Sequence, residues 1–217
     1  MPLTLYAHPF SSYCQKVLVA LYESAIPFEY RSLEDPSAKE ELKARWPFAR
    51  FPVLVDDGVT VAESSIIIET LMLKHGGKLR WLPADPIEAL EVRFLDRFFD
   101  NDVMNAMQKP VLAAIHGDAA VKDQAMAQAR RALDLAYGWL DKRIEGRTWA
   151  AGEHLSLADC AAAPSLFYAD WVHPIADGFA NVQAYRARLL AWPAFARVVD
   201  EARPFRGYFP LGAPDRD

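Results

Sequence analysis

Leu3-Thr4-Leu5-Tyr6-Ala7-His8-Pro9-Phe10-Ser11-Ser12-Tyr13-Cys14-Gln15-Lys16-Val17-Leu18 is the stretch from which the fold can be read. Leu3 to Ala7 make a short strand, which Pro9 stops. Val17, Leu18, Leu21 and Tyr22 then recur at helical spacing, ending near Ser24-Ala25. The chain downstream repeats the alternation. Pro27 to Tyr30 is extended, Ser37 to Trp46 is helical and closes before Pro47, and Pro52 to Val61 is a hairpin. The hairpin turns on Asp57-Gly58, the pair that type I′ geometry favours. Glu63-Ser64-Ser65 opens a further helix through Ile66, Ile67, Leu71 and Leu73, which stops at Gly76-Gly77. Strand, helix, strand, helix, strand, strand, helix predicts a mixed four-stranded sheet flanked by helices.

Composition changes near residue 80. Residues 1–80 hold 7 Ala and residues 81–217 hold 28, so the later part has a different architecture. It shows no convincing strand. Ile87 to Ile115 carries apolar residues at three- and four-residue spacings, with a kink expected at Pro110. Asp118 to Glu145 is a second long helix, stopped by Gly146, and Pro193 starts a short one. Ser156-Leu157-Ala158-Asp159 starts another, with Ser156 and Asp159 set to form a short-armed capping box. The division is an α/β domain over 1–78, a linker over 79–86 and an all-helical domain over 87–217.

At 217 residues, 52% hydrophobic and 24% charged, the chain is long and apolar enough to bury a sizeable core. Its net charge of −5 offers no footprint for phosphate backbones or anionic lipid. No nucleic-acid or membrane partner is expected. Two cysteines, Cys14 and Cys160, are too few for a disulfide framework, and no basic, apolar leader begins the sequence. Reduced thiols and a cytoplasmic location follow as expectations. The histidines at 8, 75, 116, 154 and 173 lack metal-ligand spacing.

Three segments could carry chemistry. The first is Ser11-Ser12-Tyr13-Cys14, where thiol redox proteins of the glutaredoxin type place a C-x-x-C pair; serine stands at the attacking position. Amides at a helix N-terminus together with a hydroxyl donor suit a thiolate brought by a bound molecule. Read alone, Ser11 or Ser12 is a helix cap. The second is Phe51-Pro52-Val53. A cis bond at this proline would leave the Phe51 N–H and C=O free to pair with an extended peptide; an edge-strand proline is the plainer reading. The third is Glu63-Ser64, where the Ser64 amide and hydroxyl suit a carboxylate and Glu63 an ammonium. A cap beside a solvated acid is its plainer reading.

An amino-acid clamp, a backbone-pairing proline and a thiolate site are together what the tripeptide glutathione needs. In these segments, in Arg50 to Leu54 and in the Ser156-to-Asp159 cap, the sequence resembles the glutathione transferase superfamily over nearly its whole length. The resemblance implies a thioredoxin-like first domain and a helical second domain. It implies a cytoplasmic homodimer that conjugates glutathione, as cosubstrate and without a metal, to small hydrophobic electrophiles. Serine at position 11 is similar to the theta and zeta classes, in which it donates to the glutathione thiolate. By the same resemblance Arg50, Phe51, Pro52, Val53, Glu63 and Ser64 contact glutathione. Lys39 is assigned to its glycyl carboxylate, and Phe10, Met104 and Met107 to the electrophile pocket. Tyr13 and Cys14 depart from the zeta-type run, so zeta-type isomerase chemistry is not implied. Asp96, Asp100 and Asp102 read as a solvated helix face, although some relatives use such an acid to reach the partner subunit's glutathione. Two rival functions stay open: a thiol or peroxide oxidoreductase using Cys14, and a non-catalytic ligand-binding protein.

Overall fold

A computed structural model describes residues 3–76, 80–117 and 119–217. Part of the expected linker, and the expected helix start at Asp118, lie outside the described residues. Strand β1 (Thr4–Ala7) feeds helix α1 (Ser12–Glu23), followed by β2 (Glu29–Ser32) and α2 (Pro36–Arg45). The hairpin β3 (Val53–Asp56) and β4 (Val59–Ala62) then leads into α3 (Ser64–His75). The sheet order is β2-β1-β3-β4, with β1 parallel to β2 and antiparallel to β3, and β3 antiparallel to β4. Asp57 and Gly58 both have positive φ, 49° and 82°, as the type I′ turn requires. β2 begins at Glu29, two residues after the extended stretch expected from Pro27.

The helical part runs through α4 (Pro86–Phe98), α5 (Asn105–His116), α6 (Ala119–Arg143), α7 (Leu157–Val172), α8 (Ala180–Ala191) and α9 (Pro193–Ala202), ending in a 3-10 turn (Arg203–Tyr208). Two of the helix starts share one device. Asp35 and Asp85 each precede a proline and accept backbone amides of the first turn: Ser37 at 2.9 Å, and Ile87 at 2.7 Å with Glu88 at 3.2 Å. The break between α4 and α5 is not where the sequence placed it. Pro110 sits inside α5, and the irregularity is a π-helical segment over Phe99–Met104.

Helix α7 is the centre of the molecule. Every residue from Leu157 to Val172 except Trp171 is buried. The small run Ala161-Ala162-Ala163 lets neighbours approach closely, and α7 packs against α1 of the α/β part and α4 of the helical part. Its N-terminus is held by Asp159, fully buried, whose carboxylate accepts from four donors. These are the Ala150 amide at 2.8 Å, the Ser156 amide and hydroxyl at 2.8 Å each, and the Tyr185 hydroxyl at 2.6 Å. The Ser156–Asp159 capping box expected from sequence is present and has two further partners. Burial raises the Asp159 pKa, and the Tyr185, Ala150 and Ser156 bonds oppose that rise.

Asp159→Ala leaves four buried donors without this acceptor, the Ala150 and Ser156 amides and the Ser156 and Tyr185 hydroxyls, which should cost about 3 kcal/mol or more. A chemical-denaturation midpoint would show it; a midpoint within error of wild type would mean the box does not stabilise the fold.

Candidate functional site

Ser11 stands at the N-cap of α1 with extended backbone (φ −83°, ψ 123°), yet its side chain does not cap the helix. The helix-cap reading of Ser11 therefore does not describe its side chain. Ser12 is buried in the first turn. The loop before Ser11 is held from the other domain: the Tyr168 hydroxyl on α7 donates to the Phe10 carbonyl at 2.9 Å. Gln15 on α1 donates at 2.9 Å to both the Pro9 carbonyl and the Tyr168 hydroxyl.

Two cavities meet at this junction. One of about 510 Å3 is lined by Phe10, Ser11, Lys39, Lys43, Phe51 and Tyr208, among others. A second of about 350 Å3 is lined by Tyr13, Arg50, Pro52, Glu63, Ser64 and Arg97, among others. Phe51, 41% exposed, lines both, so the two cavities adjoin at this residue. The Phe51–Pro52 bond is cis. Val53 is buried in β3 and reaches neither cavity wall. Glu63, at the head of α3, has φ +69°, a left-handed conformation that a non-glycine residue keeps only where its surroundings enforce it. The turn leaves the first amides of α3, from Ser64 onward, without intrahelical acceptors. Glu63 pairs with Arg50 at 3.4 Å, both side chains being mostly exposed, so water screens the pair and it contributes little to stability.

Beneath Ser64 lies a cluster that the sequence reading missed. Lys16 on α1 is 1% exposed, and its ammonium touches Asp96 Oδ1 at 2.6 Å, Asp100 Oδ2 at 2.8 Å and Ser65 Oγ at 2.9 Å. Ser65 donates to Asp96 Oδ2 at 2.8 Å. Arg97 closes the outer side, with NH2 at 2.7 Å from Asp96 and 2.6 Å from Asp100. Two cations and two carboxylates cancel, the condition under which such burial is tolerable. Asp96 and Asp100 are thus buried ion-pair partners, correcting the solvated face expected of them; Asp102 alone of the three is exposed. The overlooked signal was Lys16 itself, the one charge in the otherwise uncharged run from Cys14 to Tyr22. Asp100, with Arg97, also lines the second cavity. Burial raises the Asp100 pKa, Lys16 lowers it, and Asp96 raises it further.

The remaining expected residues divide. Phe10 lines the first cavity, while Met104 and Met107 are buried in the core and line neither. Tyr13, in the second cavity, donates to Asn105 Oδ1 at 3.4 Å, and burial, then Asp100, pushes its hydroxyl up to about 12. Among the described residues no cluster of three or more His, Cys, Asp or Glu is placed to hold a metal, and no helix is long and apolar enough to cross a membrane.

Cys14 is fully buried, and its sulfur accepts the His8 amide at 3.4 Å. Burial pushes its thiol up to about 12, against smaller opposing effects of the His8 amide and the Ser11 hydroxyl. Cys160 is buried and raised as well. A raised thiol pKa means less thiolate at every working pH, and the thiolate is the reactive form. Iodoacetamide at pH 8 should therefore leave both cysteines of the folded protein unmodified and alkylate both in denaturant. Rapid labelling of Cys14 in the folded state, read by mass spectrometry, would reverse this account of the thiol.

Residues 5–79 match the glutathione S-transferase N-terminal domain and residues 101–193 the glutathione S-transferase C-terminal domain. FtsZ-localized protein A of Caulobacter vibrioides is 28% identical over 93% of this chain and 92% of its own length. Glutathione transferase GST 23 of Zea mays is 30% identical over 73% of this chain and 67% of its own. A glutathione S-transferase structure from Rhodospirillum rubrum superposes with TM-score 0.77 at 25% identity, covering 90% of this chain and 91% of that one. With a thioredoxin-like domain and a helical domain each matched in its place, the chain belongs to the glutathione S-transferase family.

Proposed function

We propose that the chain is a glutathione transferase of the serine type that conjugates glutathione to small hydrophobic electrophiles. The observation that carries this reading is the pair of adjoining cavities: Ser11 lies in one cavity wall, Glu63 and Ser64 in the other, and Phe51 in both. An extended tripeptide suits that line. Its α-carboxylate meets the free amides of α3 at Ser64, and its ammonium meets Glu63. Its central unit pairs with the backbone of Phe51 between Arg50 and Pro52, and its glycyl carboxylate meets Lys39. Val53 supports this edge from within the sheet.

The sulfur then lies at the N-terminus of α1, within reach of Ser11. Lowering a thiol pKa from about 8.5 to about 6.5 needs about 2.7 kcal/mol. A hydroxyl bond to a charged sulfur contributes about 1.5–3 kcal/mol and a helix terminus about 0.3–1. The two together are sufficient. The thiol proton leaves to solvent, and the thiolate attacks an electrophilic carbon. The C–S bond forms as the leaving group departs with its electron pair, or as the pair of an activated double bond shifts away. Phe10 supplies apolar surface next to the sulfur.

A second copy of the chain fits the face made by α3 and α4, where Ile66, Leu73, Ile87, Leu90 and Phe94 are exposed and Arg93 is clamped to Glu69 at 3.0 and 2.7 Å. Apolar exposure of this extent marks an interface. Relatedness to a protein named for its localisation with FtsZ, and not for a reaction, favours one second reading, a fold that binds a partner without turnover. The buried thiol of Cys14 argues against the oxidoreductase reading.

Turnover on a panel of electrophiles separates these readings. Ser11→Ala should lower kcat/KM near neutral pH by about ten- to a hundredfold, with little change in glutathione affinity. Ser12→Ala should stay near wild type. If Ser12→Ala abolishes conjugation and Ser11→Ala does not, the donor is misassigned; if the wild type turns over no electrophile, the binding reading replaces catalysis. Sedimentation should find a particle of two 24.4 kDa chains at micromolar concentration, and a stable monomer would remove the proposed interface.

A further inference from the structure

His8 ends the connection from β1 and opens the loop that carries Ser11. Its side chain is 14% exposed and has no role in the reading above. Ring Nδ1 accepts the Phe10 amide at 3.1 Å, and ring Nε2 lies 2.9 Å from Glu34 Oε1. The His8 carbonyl accepts the Ser11 amide at 3.0 Å, and the His8 amide donates to Cys14 Sγ. The other Glu34 oxygen accepts the Tyr208 hydroxyl at 3.0 Å. The rings of Phe205 and Tyr208 flank the imidazole at 4.9 and 5.9 Å. The titratable groups facing it are therefore Glu34 from the β2–α2 turn, Tyr208 from the 3-10 turn and the Cys14 thiol of α1; Lys39 acts on Glu34 from α2.

A carboxylate can only accept, so Nε2 carries the ring proton and Nδ1 is the bare nitrogen. Only that tautomer can accept the Phe10 amide. With both nitrogens engaged, His8 has no lone pair left to act as a base on a thiol. We propose that His8 is a positioning residue for Ser11. Glu34, anchored by Tyr208, fixes the tautomer of His8, and the ring fixes the turn that presents the Ser11 hydroxyl. The C-terminal segment thereby sets the geometry of a loop at the opposite end of the chain. The kinetic consequence rests on the reading of Ser11 as thiolate donor; the tautomer does not.

Two measurements test it. Nitrogen-15 spectra of the imidazoles at neutral pH, with His8 assigned by comparison with His8→Asn, should show Nε2 protonated and Nδ1 bare. A ring protonated at Nδ1, or at both nitrogens, overturns the proposal whether or not the protein has activity. In kinetics, His8→Leu should move the acid limb of the kcat/KM profile up by about one pH unit, a loss of about tenfold below it, with the KM for glutathione unchanged. His8→Asn should recover most of that loss, because an asparagine oxygen can accept the amide two residues on. An acid limb unmoved in His8→Leu, with kcat lowered equally at every pH, would make His8 merely structural and refute the positioning role.

Discussion

Lys16 puts an ammonium group where water does not reach, and the arrangement of the two domains follows from what it needs. Its ammonium donates to Asp100 and Ser65 and lies against Asp96. The lysine belongs to α1 of the α/β part, the serine to α3, and the two acids to the helical part, at α4 and the π-helical segment. Separating the domains would take Lys16 away from both carboxylates, and breaking a buried pair costs about 3–5 kcal/mol. The domains are therefore held in one relation. The cavity lined by Ser64 depends on that relation, because Ser65 sits in the cluster directly behind Ser64 and Arg97 and Asp100 line the same cavity.

The same logic recurs at α7, where buried polar side chains gather directed partners. Asp159 gathers four donors at the head of the helix, and Tyr168 and Gln15 tie the Pro9 and Phe10 carbonyls to its middle. Apolar packing brings α7 against α1 and α4, while these bonds decide where along the helix the Ser11 loop rests. An apolar contact tolerates sliding; a buried carboxylate with four directed donors does not.

What could be read in the sequence was whatever is encoded locally. Asp57-Gly58 specifies its turn within two residues, and Ser156 and Asp159 find each other three residues apart. The strand–helix alternation needs no knowledge of distant partners. What could not be read depends on residues far apart. An acid on an amphipathic helix looks solvated until its counter-ion is known, and Lys16 lies 84 residues from Asp100. Met104 and Met107 carry the same apolar signal whether they line a pocket or fill a core; here they fill the core. The π-helical segment leaves no mark because its extra residue has no fixed residue type, whereas Pro110, the visible irregularity, is accommodated inside α5. Ser11, read alone, is a cap, and the structure shows no cap bond from its side chain.

The central claim is that this junction of strand, loop and helix holds a glutathione sulfur as its thiolate. Titrating the ultraviolet absorbance of the thiolate in the protein–glutathione complex tests it without any electrophile. The account predicts a bound thiol that ionises at an apparent pKa of about 6.5, well below the free thiol. Ionisation of the bound thiol at the free value, about 8.5, would contradict it.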